Sequence, residues 1–143
     1  MKAFTEKRFF ELKEMESSDK EGLLVRIKEL LSSMSNIIFA YVHGSFIKSK
    51  SFRDIDIALF IEGQSSFYLE SDISAELASA TGFEVEVKVI NDAPVAFQMA
   101  VLRDGVLLFS RNEVKRTDFI EDVVRRYIEY THFRNIFFGR RRC

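Results

Sequence analysis

The feature that most constrains this fold is a set of apolar runs that are too short to be buried helices. Residues 37–42 form such a run, rich in Ile, Val and aromatic residues, which is typical of a strand covered on both faces. Residues 55–61 predict a second strand of the same kind of composition. Residues 83–90 alternate apolar and charged side chains, which predicts a third strand, and residues 106–109 predict a short fourth.

Apolar residues at helical spacing fill the segments between these strands. The sequence predicts one helix over residues 20–34, with Asp19 as its N-cap, and another over residues 66–80. Pro94 favours the first turn of a third helix. From about residue 112 a long fourth helix follows, with apolar residues spaced to bury one face. These residues are Phe119, Ile120, Val123, Val124, Tyr127, Ile128 and Tyr130.

The resulting order, α-β-β-α-β-α-β-α, predicts an α+β fold with a small mixed β-sheet and helices packed on one side. A chain of 143 residues can bury one core but is too short for two ordinary domains, so we expect a single domain over residues 1–143. Its core covers about residues 20–110, and a C-terminal helical extension covers 112–138. Residues 46–53 are rich in Lys and Ser and predict a polar loop.

Composition narrows the classes of function. A formal net charge of −1 excludes a chain that binds nucleic acid through its overall charge. Arg134 and the run of Arg140, Arg141 and Arg142 make the last ten residues strongly basic, which indicates either a solvated tail or a contact for a nucleic acid or an acidic partner. The single cysteine, Cys143, excludes an intrachain disulfide and a cysteine-based metal cluster. No apolar stretch reaches the length of a membrane span, and we expect a cytoplasmic location.

Two small motifs at strand ends carry the functional signal. Gly44 and Ser45 end the first predicted strand, and Asp54 and Asp56 begin the second. Backbone amides and a hydroxyl at a Gly-Ser turn can hold a phosphate. Side chains at positions i and i+2 of a strand share one face, so the two carboxylates can converge on a hard cation such as Mg²⁺. The alternative is a strand start at which both aspartates are simply solvated.

A third carboxylate, Glu86, lies in the middle of the alternating strand. Glu84 and Lys88 share its face, and the other face carries Val85, Val87 and Val89. The charged face is therefore either a solvent-facing surface or the floor of the same site.

The Gly-Ser turn, the Asp-x-Asp pair and the later acidic strand residue together resemble the nucleotidyltransferase superfamily related to DNA polymerase β. The short chain is most similar to the minimal nucleotidyltransferase (MNT) family, many of whose members are MntA-type antitoxins paired with HEPN toxins. The likeness extends from about residue 37 to residue 109, and residues 85–94 are similar to the segment that holds that family's third carboxylate. The helix over 112–138 is similar to the C-terminal extension of the antitoxin-type members.

The resemblance implies a role for each motif residue. Gly44 and Ser45 would hold the phosphates of ATP or another nucleoside triphosphate. Asp54 and Asp56 would bind Mg²⁺, and Glu86 would complete the metal site and help to deprotonate the attacking hydroxyl. The implied reaction is transfer of AMP from ATP to a tyrosine of a HEPN-type toxin.

Two other functions stay open on the sequence alone. A nucleotidyltransferase can act instead on RNA or on a small molecule. The chain can also be a binding module that neutralises its partner by contact, because Glu86 stands where the family usually has Asp and this places its carboxylate about one methylene further out.

Overall fold

The computed structural model describes residues 12–138, and these form six strands and five helices. The strands are β1 (Lys13–Glu14), β2 (Ile37–His43), β3 (Ser51–Phe52), β4 (Ile55–Ile61), β5 (Val85–Val89) and β6 (Val106–Ser110). The helices are α1 (Ser17–Ser32), α2 (Ser45–Lys48), α3 (Leu69–Thr81), α4 (Val95–Asp104) and α5 (Glu113–Phe138). No helix among these residues combines the length and the apolar character needed to cross a membrane.

The main sheet has four strands in the order β5-β4-β2-β6. Strand β2 runs antiparallel to both β4 and β6, and β4 runs parallel to β5. A separate antiparallel pair is formed by β1 and β3. The predicted mixed sheet and α+β class are confirmed, and the predicted strands match β2, β4, β5 and β6 to within two residues at each end.

Helices cover both faces of this sheet, which corrects the expectation that they would pack on one side. On β4, Ile57 and Leu59 lie in the core cluster that includes Ile27 of α1 and Leu77 of α3. The intervening Ala58 belongs to a second cluster, which includes residues of α4 and α5. Alternate residues of a strand point to opposite faces, so each face has its own helical layer. The second layer is needed because the other face of the sheet is also apolar in its middle.

The segment predicted as a polar loop, residues 46–53, is partly structured and partly core. It contains most of α2 and all of β3, and the side chains of Phe46 and Phe52 are fully buried. Their rings meet edge to face with centroids 4.7 Å apart. The two Phe side chains anchor this connection to the core below α1, while residues 48–50 and 53 stay exposed.

Helix boundaries follow the prediction except at their first residues. Helix α1 begins at Ser17, so Asp19 lies in its first turn and Glu16 is the N-cap, without a side-chain capping bond. Pro94 is the N-cap of α4 rather than its first residue. An acidic side chain in the first turn still favours α1 through the helix dipole.

Only the first half of α5 buries a face. Phe119 and Val123 are buried against the sheet, whereas Val124, Ile128 and Tyr130, which were expected on the same buried face, are exposed. At roughly 100° per residue, Tyr130 lies on the same face as Phe119 but beyond the layer that covers it, whereas Val124 and Ile128 lie on the side of the helix away from Phe119. The basic tail that was noted in the sequence, residues 140–142, lies outside the described residues.

Candidate active site

Three neighbouring strands bring the predicted carboxylates to one place. Asp56 on β4 pairs in register with Glu86 on β5 and, on its other side, with His43 on β2. Asp54 stands just before β4, two residues from Asp56 and on the same face. Each of the three carboxylates offers one oxygen atom, and these atoms all lie within 4.8 Å of one another. The structure thus brings together Asp54, Asp56 and Glu86, the three residues that the resemblance assigned to one site, and their role as metal ligands stays a prediction.

The cluster is electrostatically unfavourable without a cation. The pKa of Asp56 is raised to about 7, first by burial, then by the charges of Asp54 and Glu86, and last by a hydrogen bond with the Glu86 side chain. Lys88 lies on the same strand as Glu86, with 3.7 Å between the ammonium nitrogen and a carboxylate oxygen, but both side chains are about half exposed. A proton or a cation between the carboxylates relieves their repulsion.

The chemistry of this donor set fits a hard divalent cation. Its three ligating groups are carboxylates, and cations such as Mg²⁺ prefer oxygen ligands and keep positions for water and substrate phosphates. Glu86 is the most exposed of the three, and its side chain is 52% accessible. The cluster is therefore open on the β5 side, where a substrate can approach it.

Gly44 lies directly against the carboxylate cluster. Its φ of +81° and ψ of −161° belong to a region that is essentially restricted to glycine. A Cβ atom at this position would lie 2.3 Å from Oδ2 of Asp56, which is well inside van der Waals contact. Ser45 follows as the first residue of α2 and is exposed. The predicted phosphate turn and the predicted metal ligand are thus in direct contact, and only glycine fits between them.

His43 is the residue at this site that the sequence indicated least clearly. Its ring packs edge to face on Phe97 of α4, with centroids 5.6 Å apart, and it stands beside Asp56 in the sheet. Its Nε2 atom is buried and has no hydrogen-bond partner among the described residues. Burial lowers the pKa of the imidazole, although the charges of Glu86 and Asp54 oppose this. The only sequence signal was its position next to Gly44, because the register that places it beside Asp56 is a property of the sheet.

Comparison with known proteins places this geometry in a family. Residues 26–114, more than half of the chain, match the family model described as "Polymerase beta, Nucleotidyltransferase". No curated protein sequence matches the chain. The matched residues include β2, β4 and β5 and therefore all of the positions described above.

Solved structures with a similar fold include several toxin–antitoxin complexes. One is a complex of a tri-AMPylated HEPN toxin from Shewanella oneidensis with an MNT antitoxin, matched with a TM-score of 0.71 and 18% identity over 87% of this chain and 99% of that chain. Another is an MntA toxin–antitoxin complex with two Asp→Glu substitutions, with a TM-score of 0.71 and 17% identity over 84% and 98% of the two chains. A third, solved with AMP-PNP, has a TM-score of 0.66 and 18% identity over 90% and 100%.

At these sequence identities the similar structures show a shared fold. The match to the family model shows that the chain is related to that family by sequence. The mixed sheet, the glycine turn against an aspartate and the three converging carboxylates agree with both findings. This chain belongs to the polymerase β-type nucleotidyltransferase family.

Proposed function

We propose that this chain is a Mg²⁺-dependent protein adenylyltransferase, the antitoxin of an MNT/HEPN pair, which transfers AMP from ATP to a tyrosine of its toxin. The observation that carries the proposal is the cluster of three carboxylate oxygens within 4.8 Å of one another, in contact with the Gly44 turn. Such a cluster beside a glycine turn that leads into a helix suits a metal–triphosphate complex.

The similar structures support the proposed nucleotide, partner class and acidic pair by analogy. A HEPN toxin in one of them carries three AMP groups, and another was solved with AMP-PNP, which is an analogue of ATP. In a third, two aspartates two positions apart were replaced by glutamates, and this is the spacing of Asp54 and Asp56. Nucleotide, acceptor and acidic pair in those proteins thus correspond to the ones proposed here.

In this proposal Asp54, Asp56 and Glu86 hold the cation, and Gly44 and Ser45 bind the β- and γ-phosphates. A cation held there would neutralise charge on the triphosphate and orient it. The Gly44–Ser45 turn binds through its backbone amides and the exposed Ser45 hydroxyl. Since Gly44 touches Asp56, phosphate and carboxylate positions are fixed relative to each other.

The reaction is an in-line displacement at the α-phosphorus. The acceptor oxygen forms a bond to phosphorus, the bond between that phosphorus and the bridging oxygen breaks, and pyrophosphate leaves. Glu86 accepts the proton of the attacking hydroxyl. It suits this role because its half-exposed carboxylate lies on the open side of the cluster, where a tyrosine on another protein can reach it. Positioning and charge neutralisation supply most of the rate enhancement.

The proposal is tested by identifying the acceptor. The chain is incubated with Mg-ATP and a purified HEPN-type protein encoded beside it, and the products are mapped by tandem mass spectrometry. We expect AMP on a tyrosine of that protein, and loss of the modification when the tyrosine is replaced by Phe. AMP found on RNA or on a small molecule would contradict the proposed acceptor. Neutralisation of the toxin without any AMP transfer would support the contact-only alternative.

A further inference from the structure

Lys20 of α1 reaches across to the segment that follows the glycine turn. Its ammonium group donates hydrogen bonds to the backbone carbonyl oxygens of Phe46, at 2.5 Å, and Ser49, at 2.6 Å. These residues are 26 and 29 positions away in sequence, so Lys20 ties α1 to α2 through tertiary contacts.

The end of α2 needs such a donor. A helix leaves its last carbonyl groups without intrahelical partners, and α2 has only four residues. Its internal bonds run from the amides of Ile47 and Lys48 to the carbonyl of Gly44 and from the amide of Ser49 to the carbonyl of Ser45. A positive charge at the C-terminal end of a helix is also favoured by the helix dipole. Lys20 supplies both the donor and the charge.

Two aromatic rings hold the ammonium group in place. Its nitrogen lies 4.9 Å from the ring centroid of Phe46 and 5.3 Å from that of Phe52, which are distances typical of cation–π contacts. Both rings are fully buried, whereas Lys20 is half-buried. The ammonium group is therefore bound from two sides, by carbonyl oxygens and by ring faces.

The opposite end of α2 is the phosphate turn. Four residues of helix span about 6 Å, so both carbonyls that Lys20 binds are close to this turn: Phe46 directly follows Ser45, and Ser49 is the C-cap of α2. Gly44 is in contact with Asp56, and the turn has no space in which to shift toward the carboxylates. A displacement of α2 by loss of its anchor would move the turn away from the position at which it meets the metal ligands.

We propose that Lys20 is a positioning residue for nucleotide binding, which holds α2 and thereby the Gly44–Ser45 turn at the correct distance from the carboxylate cluster. Lys20 does not touch the nucleotide in this arrangement, and it acts through the backbone of α2. The inference rests on the proposed function insofar as the bound ligand is Mg-ATP.

The test compares Lys20→Met with Lys20→Arg and with Lys28→Met. Methionine keeps the apolar stem over the two rings and removes the donor and charge. Arginine restores both. Lys28 is an exposed lysine on the same helix, so its replacement is the matched control. Lys20→Gln, which keeps one donor, replaces Lys20→Met if that variant does not fold.

Two measurements are made on each protein. Hydrogen exchange without ligand reports the amides of Ile47, Lys48 and Ser49, and calorimetry reports the affinity for Mg-ATP. For Lys20→Met we expect at least tenfold faster exchange at these amides with α3 unchanged, and about tenfold weaker binding of Mg-ATP. We expect Lys20→Arg to stay within about threefold of the native affinity, and Lys28→Met to match the native chain in both measurements.

The outcomes separate this inference from the proposed function. A native chain that binds no Mg-ATP would overturn the proposed function and the positioning role with it. Native binding with unchanged affinity in Lys20→Met would overturn the positioning role alone, whether or not exchange accelerates. Equal loss of affinity in Lys20→Arg would also contradict it, because arginine keeps the charge and the donors.

Discussion

The two faces of β4 show how one strand serves two purposes. On one face Ile55, Ile57 and Leu59 are fully buried in the core formed with α1 and α3. On the other, Asp56 belongs to the carboxylate cluster, and Ala58 is buried beneath α4 and α5. The core face fixes the strand, so the strongly repelling carboxylates are held together by packing on the side away from them. Stability and function therefore depend on alternate residues of the same seven-residue strand.

The largest effect is expected for Asp54→Asn, on the side of β4 that carries the carboxylate cluster. Loss of one of the three proposed metal ligands should cost about 4 kcal/mol of transition-state stabilisation, which is about a thousandfold in rate. Because Asp54 is outside the core, the circular dichroism spectrum should not change. The measurement is AMP transfer under saturating Mg-ATP, with the exposed Asp118→Asn of α5 as a control that should keep native activity. Equal activity in Asp54→Asn and Asp118→Asn would contradict the assignment.

The next largest effect is expected for Ile57→Ala, on the face of β4 that packs against α1 and α3. Removing a fully buried Ile side chain leaves a cavity and should lower the free energy of unfolding by about 3 kcal/mol. Denaturation by urea measures this loss. At low temperature, where the variant is still folded, its affinity for Mg-ATP should remain within a few-fold of native. An affinity loss as large as that of Asp54→Asn would show that the two faces are not separable.

Gly44→Ala should affect both properties at once, because Gly44 joins the turn to the carboxylates. The added Cβ would meet Oδ2 of Asp56 at 2.3 Å, and alanine disfavours a φ of +81°. We expect a loss of about 2 kcal/mol in stability, together with weaker binding of Mg-ATP. Gly63, which also has a positive φ but has nothing within 4 Å of an added Cβ, provides the control. Gly63→Ala should cost stability through backbone strain and leave Mg-ATP binding unchanged.

The smallest effect is a gain in stability for Asp56→Asn without metal. The folded-state pKa of Asp56 is about 7, above its ordinary value of 3.8. The protonated carboxyl therefore contributes to the free energy of unfolding below about pH 4, and this contribution is lost as the pH rises to about 7. Because Asp56 is only half buried, solvent screens part of this repulsion, and we expect the variant to gain about 1 kcal/mol at pH 8. That gain corresponds to about 4 °C in Tm.

Thermal unfolding between pH 5 and pH 8 checks this prediction. The difference in Tm between Asp56→Asn and the native chain should widen as the pH rises. Added Mg²⁺ should raise the Tm of the native chain at pH 8 and have little effect on the variant. A native chain that is more stable than Asp56→Asn at pH 8 without metal would contradict the repulsion between the carboxylates.

The site could be predicted from the sequence because its determinants are local. Asp54 and Asp56 share a face by strand alternation alone, and Gly44-Ser45 ends a recognisable apolar run. The sequence alone determined the position of Glu86 less completely. Sequence alternation gives its face, but only the parallel register of β5 on β4 places it beside Asp56. The same limit applies to His43, whose place beside Asp56 depends on the register of β2.

Features that depend on tertiary packing were predicted poorly. Phe46 and Phe52 lie among Lys and Ser residues, so their local sequence favours a loop, although the core below α1 buries both rings. The second helical layer was missed because the spacing of apolar residues in α4 and α5 shows that they bury a face but not which face of the sheet they cover. In α5, Phe119 and Tyr130 are eleven residues apart and share one face of the helix, but only Phe119 is buried, since the sheet covers only the first half of the helix.

The most direct test of the central claim, that the three carboxylates form the metal site of a nucleotidyltransferase, is a labelling experiment. α-labelled ATP and Mg²⁺ are added to lysate of the source organism together with either the native chain or the Asp54→Asn/Asp56→Asn variant. We predict a labelled, protease-sensitive product that only the native chain makes and that requires Mg²⁺. Equal labelling by the two proteins, or no labelling by a native chain that binds Mg-ATP, would contradict the claim.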